Sequence, residues 1–248
     1  MTKTKIEMLI CMTLSLNSAG VQAQKGVEHF NISLFCNTDS LKGANLSILT
    51  NAIKKDMQGV QISALNNFAT KGNGIQIGML SNASTSTFKG IQLAGISNVS
   101  MGMKRGIQLA GAANICSSSM RGIQTAVYNY ADTLNGSQIG LFNACISHPR
   151  GVQIGIINYS RDTVAHKIGL VNVNPKTRID LLSYIGTSTK LNMALRFRNR
   201  STYNIIGIGT HYMGLDSKFS GALFYRIGQY FQQDTRSEER RVGKECRS

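Results

Sequence analysis

Four cations stand one residue before a recurring glycine: Lys89, Arg105, Arg121 and, after a gap at Asn135, Arg150. Charges of one sign at such even intervals could hold an anionic glycan or a membrane surface through many weak contacts, with no reaction involved. Stacked about 4.8 Å apart, neighbours in such a column repel by roughly 1 kcal/mol in water. The same residues would also keep a strand edge solvated and unpaired. Other chemistry-bearing residues are scattered. His29, His148, His166 and His211 have neither HxxxH spacing nor a CxxC partner. Glycoside hydrolysis uses two carboxylates about 5–9.5 Å apart, whereas Asp56, Asp132 and Asp162 fall at different places in the repeat described below. Neither a GxxxxGK[ST] phosphate loop nor a GxSxG elbow occurs. The expectation is a protein with no catalytic, cofactor-binding or metal site.

The elements that must carry the cations come from a repeat. Gly43, Gly59, Gly74, Gly90, Gly106, Gly122, Gly136 and Gly151, with a degenerate copy at Ala165, follow one another in steps of 14 to 16 residues. Two residues after the glycine stands glutamine: Gln61, Gln76, Gln92, Gln108, Gln124, Gln138 and Gln153. The positions on either side of it are mostly Ile, Val or Leu, and the fourth residue is always small, as in Ser63, Gly78, Ala94 and Gly140. The phrase closes on asparagine, read as Asn66, Asn82, Asn98, Asn114, Asn129, Asn143, Asn158 and Asn172.

Period-two alternation rich in Ile and Val is the signature of a strand, and glycine and asparagine at its borders are turn residues. Each copy therefore reads as about two short strands and two corners. One copy cannot bury its apolar column, whereas stacked copies can, which is the logic of a solenoid. Amide side chains suit the stack, because each can donate to one coil and accept from another. The fold class expected is all-β: a β-solenoid of about nine 14–16-residue repeats over residues 43–173, followed by an antiparallel β-meander. Copies from Gly74 to Asn114 carry one extra residue before the asparagine, so the cross-section is not expected to be uniform. The frame also accounts for Cys116 and Cys145, which lie two residues after the asparagine, where other copies have Ser84, Ser100, Ala131 and Ser160. Two coils apart, at roughly 9.6 Å, they exceed disulfide reach and read as small packing residues.

The ends of the chain have a different character. Residues 1–23 combine Lys3 and Lys5, a short apolar run and small residues Val21 and Ala23, the layout of a cleaved secretory signal peptide. Of the last thirteen residues, RSEERRVGKECRS, the first eleven match a translated frame of sequencing-adapter DNA, so residues 236–248 are set aside as foreign. The chain has net charge +15. Leaving out both ends removes seven basic and four acidic residues, and residues 24–235 remain at +12. That balance favours an anionic neighbour. With no nucleic-acid-binding motif, specific nucleic-acid binding is not expected. The odd cysteine count in this span, Cys36, Cys116 and Cys145, argues against a disulfide framework. Nothing in the pattern sets an oligomeric state.

Residues 24–42 read as a lead-in strand and residues 174–235 as amphipathic antiparallel strands. In the latter, KLNMALRFRN alternates, and TYNIIGIGTHYMG and KFSGALFYRIGQYF follow. Such strands are long enough to cross an outer membrane, where a span needs about 9–11 residues, though three cannot close a barrel of at least eight. The alternative fold is thus an outer-membrane β-barrel, a pore or adhesin truncated at its C-terminus, in which repeats and C-terminal strands make one closed sheet.

The pattern G-[VI]-Q-[IL]-[GA]-x-x-N with a period near fifteen resembles a family of bacterial surface-repeat proteins. The resemblance covers Gly43 to Asn172. It implies an exported protein at the outer membrane or cell surface of a Gram-negative bacterium, a structural or binding scaffold with no catalysis and no site residues to transfer.

Overall fold

A computed structural model describes residues 24–161, 166–187, 190–199, 202–210 and 221–229. The leader-like segment 1–23, the adapter-like segment 236–248, Asp162 and His211 lie outside the described residues. Every described element is a strand, and the chain divides after Pro175 into two units.

The first unit is a parallel β-solenoid of about eight turns. Its strands are β1 (Gln24–Ser63), β2 (Asn66–Gly78), β3 (Ser81–Ala94), β4 (Ser97–Ala110), β5 (Ala113–Thr125), β6 (Tyr128–Ile139), β7 (Phe142–Ile154), β8 (Ile157–Ser160), β9 (His166–Ile168) and β10 (Val171–Val173). Successive strands pair in parallel, and β9 pairs with β7 while β10 pairs with β8. Each turn from β2 to β7 is a single strand of 12 to 14 residues, broken by a register shift and ended by a two-residue bend. The expected pair of short strands per copy is thus fused into one. The lead-in belongs to the stack as well, because the backbone of His29 lies directly against Gly43.

Glycine opens the turn because nothing larger fits. Gly122 has φ +129°, and a Cβ there would lie 1.9 Å from the carbonyl oxygen of Gly106 in the preceding coil. The same collision recurs along the column from Gly59 to Gly151. The small fourth position has a similar cause. At Gly140 and Gly155 a Cβ would come within 2.6 Å of the side-chain amide of Asn129 or Asn143.

Two columns of amides occupy the interior. Gln76, Gln92, Gln108, Gln124, Gln138 and Gln153 are fully buried, and each donates through Nε2 to the Oε1 of the glutamine one coil earlier at 2.7–2.8 Å. The asparagines run the other way: each Nδ2 donates to the Oδ1 of the next coil's asparagine at 2.8–3.0 Å, from Asn51 to Asn172. The Asn98 amide also donates to the Leu109 carbonyl at 2.8 Å, which ties the bend to the coil above. Buried amides are tolerated when paired. The unpaired acceptors, Asn51 Oδ1 and Gln153 Oε1, stand at the two ends of their ladders.

These ladders correct two expectations. Asn67, not Asn66, is the ladder residue, because Asn67 pairs with Asn82 while Asn66 pairs with Ser81. The Ile, Val and Leu columns flanking the glutamines are not the buried ones. With glutamine pointing inward, strand alternation turns its neighbours outward, and Leu109, Ile139 and Ile154 are 40–41% exposed. The apolar core lies instead on the other side of the lumen, in Ile53, Met57, Ala69, Phe88, Met103, Cys116, Met120, Ala131, Leu134 and Cys145. The extra residue of the wider copies is absorbed at the bend. There, two successive amides such as Leu80 and Ser81 donate to one carbonyl, Leu65. From Gly122 onward only six residues separate glycine and asparagine, and the asparagine ladder continues unbroken.

The second unit is a four-stranded antiparallel sheet in the order β11 (Arg178–Ile185), β12 (Leu191–Arg198), β13 (Thr202–Thr210) and β14 (Gly221–Gln229). The first of these, RIDLLSYI, is a fourth strand beyond the three picked out in the sequence. The repeats pair in parallel and the C-terminal strands antiparallel, in two separate sheets, so the two do not form the single closed sheet of the barrel alternative.

Candidate functional site

Lys89, Arg105, Arg121 and Arg150 all stand exposed on the outside of the solenoid, immediately before the glycine corner. Lys89 pairs with Arg105, Arg121 with Asn135 and Asn135 with Arg150. Between Arg105 and Arg121 the ladder slips: Met103 pairs with Met120 and Gly106 with Gly122, so Lys104 and Arg105 together face the single residue Arg121. The column is therefore one stacked pair, Lys89 and Arg105, joined at a bulge to Arg121, with Arg150 beyond the uncharged Asn135, and the bulge adds Lys104, also exposed, to the same edge.

Lys71 lies beside this edge, two residues before Asn73, which pairs with Lys89. A groove of about 250 Å³ has Lys71, Lys89 and Lys104 among its walls, together with Asp56, Gln58 and Asn73, above Met57 and Phe88. Gly72 lets it form, since a Cβ there would lie 2.3 Å from the Phe88 ring. Asp56 approaches Lys71 at 3.7 Å, with both side chains about 60% exposed, a pair that adds little to stability. The sequence reading missed Lys71 and Lys104 because neither stands directly before a corner glycine of the repeat.

The remaining candidates are not brought together. Asp56 and Asp132 precede glycines five coils apart, about 24 Å at strand spacing, well beyond the separation of a glycosidase pair. Asp132 instead accepts from the Ser147 hydroxyl at 3.5 Å. His166 occupies the outward column beside Val152, and the His29 ring lies 3.1 Å from the Lys42 carbonyl. Among the described residues no three of His, Cys, Asp or Glu are grouped to hold a metal ion.

Cys36, Cys116 and Cys145 are free and buried. Cys116 pairs with Ser100 and Ala131, and Cys145 with Ala131 and Ser160, in the expected small-residue column. Burial raises all three thiols; Cys36 and Cys145 are pushed up to about 11 despite hydrogen bonds that oppose the shift. They are protonated packing groups at neutral pH, not nucleophiles.

The second unit is amphipathic. Ile179, Leu181, Met193, Leu195, Ile208, Leu223 and Ile227 share one exposed face. On the other face Asp180 meets Arg196 at 2.8 Å and Arg198 at 3.7 Å, while Ala194 packs beneath Phe224 near Gly207.

The fold and these surfaces define a parallel β-solenoid repeat protein with an appended antiparallel sheet. Comparison of the chain with protein-family models, curated proteins and solved structures finds no match.

Proposed function

We propose that this is an exported cell-envelope protein of a Gram-negative bacterium whose solenoid is a non-catalytic scaffold, with the cationic edge as its binding surface. The carrying observation is the alignment of Lys89, Arg105, Arg121 and Arg150 by the coil register, all exposed on one edge. A ligand with repeating negative charge, an acidic glycan or an anionic membrane surface, fits a ladder whose own charges repel one another. The likeness of the repeat to exported surface-repeat proteins and the leader-like residues 1–23 support the address. Changing the four residues together to Gln should weaken retention on an acidic polysaccharide column and remove its salt dependence. Unchanged, salt-independent retention refutes the edge as a binding surface, and recovery of the native protein from the cytoplasmic fraction refutes the address.

A second reading rests on the C-terminal sheet. Its strands of 8 to 9 residues have an exposed apolar face and an ion-paired opposite face, the alternation of a membrane barrel wall. Four strands fall short of the eight that closure needs, so a barrel would take strands from further copies or other chains. Extraction of the full chain from envelopes with salt alone, without detergent, refutes this reading.

A further inference from the structure

The charges are segregated within eight copies of the repeat. In the eight copies from Gly43 to Asn158, no residue between the glycine and the closing asparagine is charged. All the cations fall in the other part of the turn. The uncharged part is the outward aliphatic wall, where Met79 is 68%, Ile96 51%, Val127 46% and Leu141 45% exposed. About eight coils at 4.8 Å, each contributing roughly 20 Å of strand, make a wall on the order of 700 Å². The largest apolar patch on a typical monomer is about 300–600 Å² and is often functional. The wall is notched where the side chains shrink: Gly95 and Ala110 lie in a shallow apolar groove bounded by Met79, Leu93 and Leu109. Only the corner glycine separates it from the cationic column, as Gly122 separates Arg121 from Ile123.

We infer that this wall, edged by the cationic column, docks on an anionic lipid surface, with the aliphatic ladders at the acyl boundary and Lys89, Arg105, Arg121 and Arg150 at the headgroups. The arrangement is that of an interfacial amphipathic helix written across a stack of strands: a broad apolar face, basic residues at its border and no acid within it. Along the wall the strands of successive coils pair with one another, so contact with the acyl boundary does not strip these ladders of their partners. The inference rests on the scaffold reading for the cations and adds the wall, which makes lipid rather than glycan the partner.

The chain has no tryptophan, so a single Ile123→Trp substitution places a clean reporter on the wall, and Ser118→Trp places one on the opposite, polar side. Both full chains are mixed with phosphatidylcholine vesicles, with and without about a third phosphatidylglycerol. The expected result is a blue shift and quenching by brominated acyl chains for Ile123→Trp on anionic vesicles alone, with Ser118→Trp unchanged. Binding to those vesicles should fall about tenfold or more in Leu109→Ser/Ile139→Ser/Ile154→Ser, whose far-UV circular dichroism confirms folding. Vesicle binding by the parent with an unshifted Ile123→Trp overturns the wall's role and leaves the cationic edge standing. Wall insertion that the four-Gln variant does not weaken refutes the edge and, with it, this inference. A blue shift that grows with protein concentration in the absence of lipid assigns the wall to a second copy of the chain and also overturns it.

Discussion

Replacing Gln108 by leucine tests the central claim that amide ladders, not aliphatic packing, hold the solenoid interior. Gln108 is fully buried; its Nε2 donates to Gln92 Oε1 at 2.8 Å and to Ser100 Oγ at 3.0 Å, and its Oε1 accepts from Gln124 Nε2 at 2.8 Å. Leucine preserves the bulk and removes all three bonds. Gln92 Oε1 then loses its ladder donor inside the lumen, while Gln124 Nε2 keeps only its bond of 3.3 Å to the Tyr130 carbonyl. An orphaned buried polar group costs about 1–3 kcal/mol, and part of a second such penalty falls on Gln124, so the loss should be about 2–4 kcal/mol. Gln153→Leu is the internal control, because that residue ends the ladder and its Oε1 already lacks a partner. Its loss should be smaller by about 1 kcal/mol. Urea denaturation followed by far-UV circular dichroism reads both values. If Gln108→Leu is as stable as the parent, as it would be were leucine simply better core material, the ladder argument is wrong.

Three further outcomes follow from the same geometry. Gly122→Ala should abolish or grossly destabilise folding, because its Cβ meets the Gly106 carbonyl at 1.9 Å, whereas Gly102→Ala, with no atom nearer than 3.7 Å, should be neutral in thermal melts. A thiol-reactive maleimide at pH 8 should leave Cys116 and Cys145 unlabelled in the native protein and label both in urea, and Cys145→Ser should fold, since Ser160 occupies the same column. The Cys145 thiol ionises near 9 when unfolded and near 11 when folded, so stability should fall as pH rises above about 9; a melting temperature that rises between pH 9 and 11 would contradict the burial of these thiols.

The candidate edge was partly legible because its residues mark the repeat. Lys89, Arg105, Arg121 and Arg150 precede glycines, and a regular stack lines up whatever recurs at one position. Lys104 joins them only through a bulge, where one coil holds a residue more than its neighbour, and Lys71 only by lining the groove it shares with Lys89 and Lys104. Such a slip follows from how two particular coils pack, not from either sequence alone. The strand RIDLLSYI is hidden for a related reason: it lies within the segment expected to be antiparallel, but only its pairing with Leu191–Arg198 marks it as a fourth strand.

The sequence by itself determined the repeat, the all-β stack, the glycine corners, the small column that holds Cys116 and Cys145, and the antiparallel change after Pro175. Each follows from spacing together with the conformational or steric limits of one residue type. Tertiary structure alone decided which face of the strand looks inward. Period-two alternation separates glutamine from isoleucine but gives no sign of which is inside, and hydrophobicity taken alone favours isoleucine. Stacking reverses that choice, because a glutamine one coil above another completes a hydrogen bond at 2.7–2.8 Å that no single copy can make. The amides are thereby satisfied within the lumen, and the aliphatic ladders are left outside as a surface.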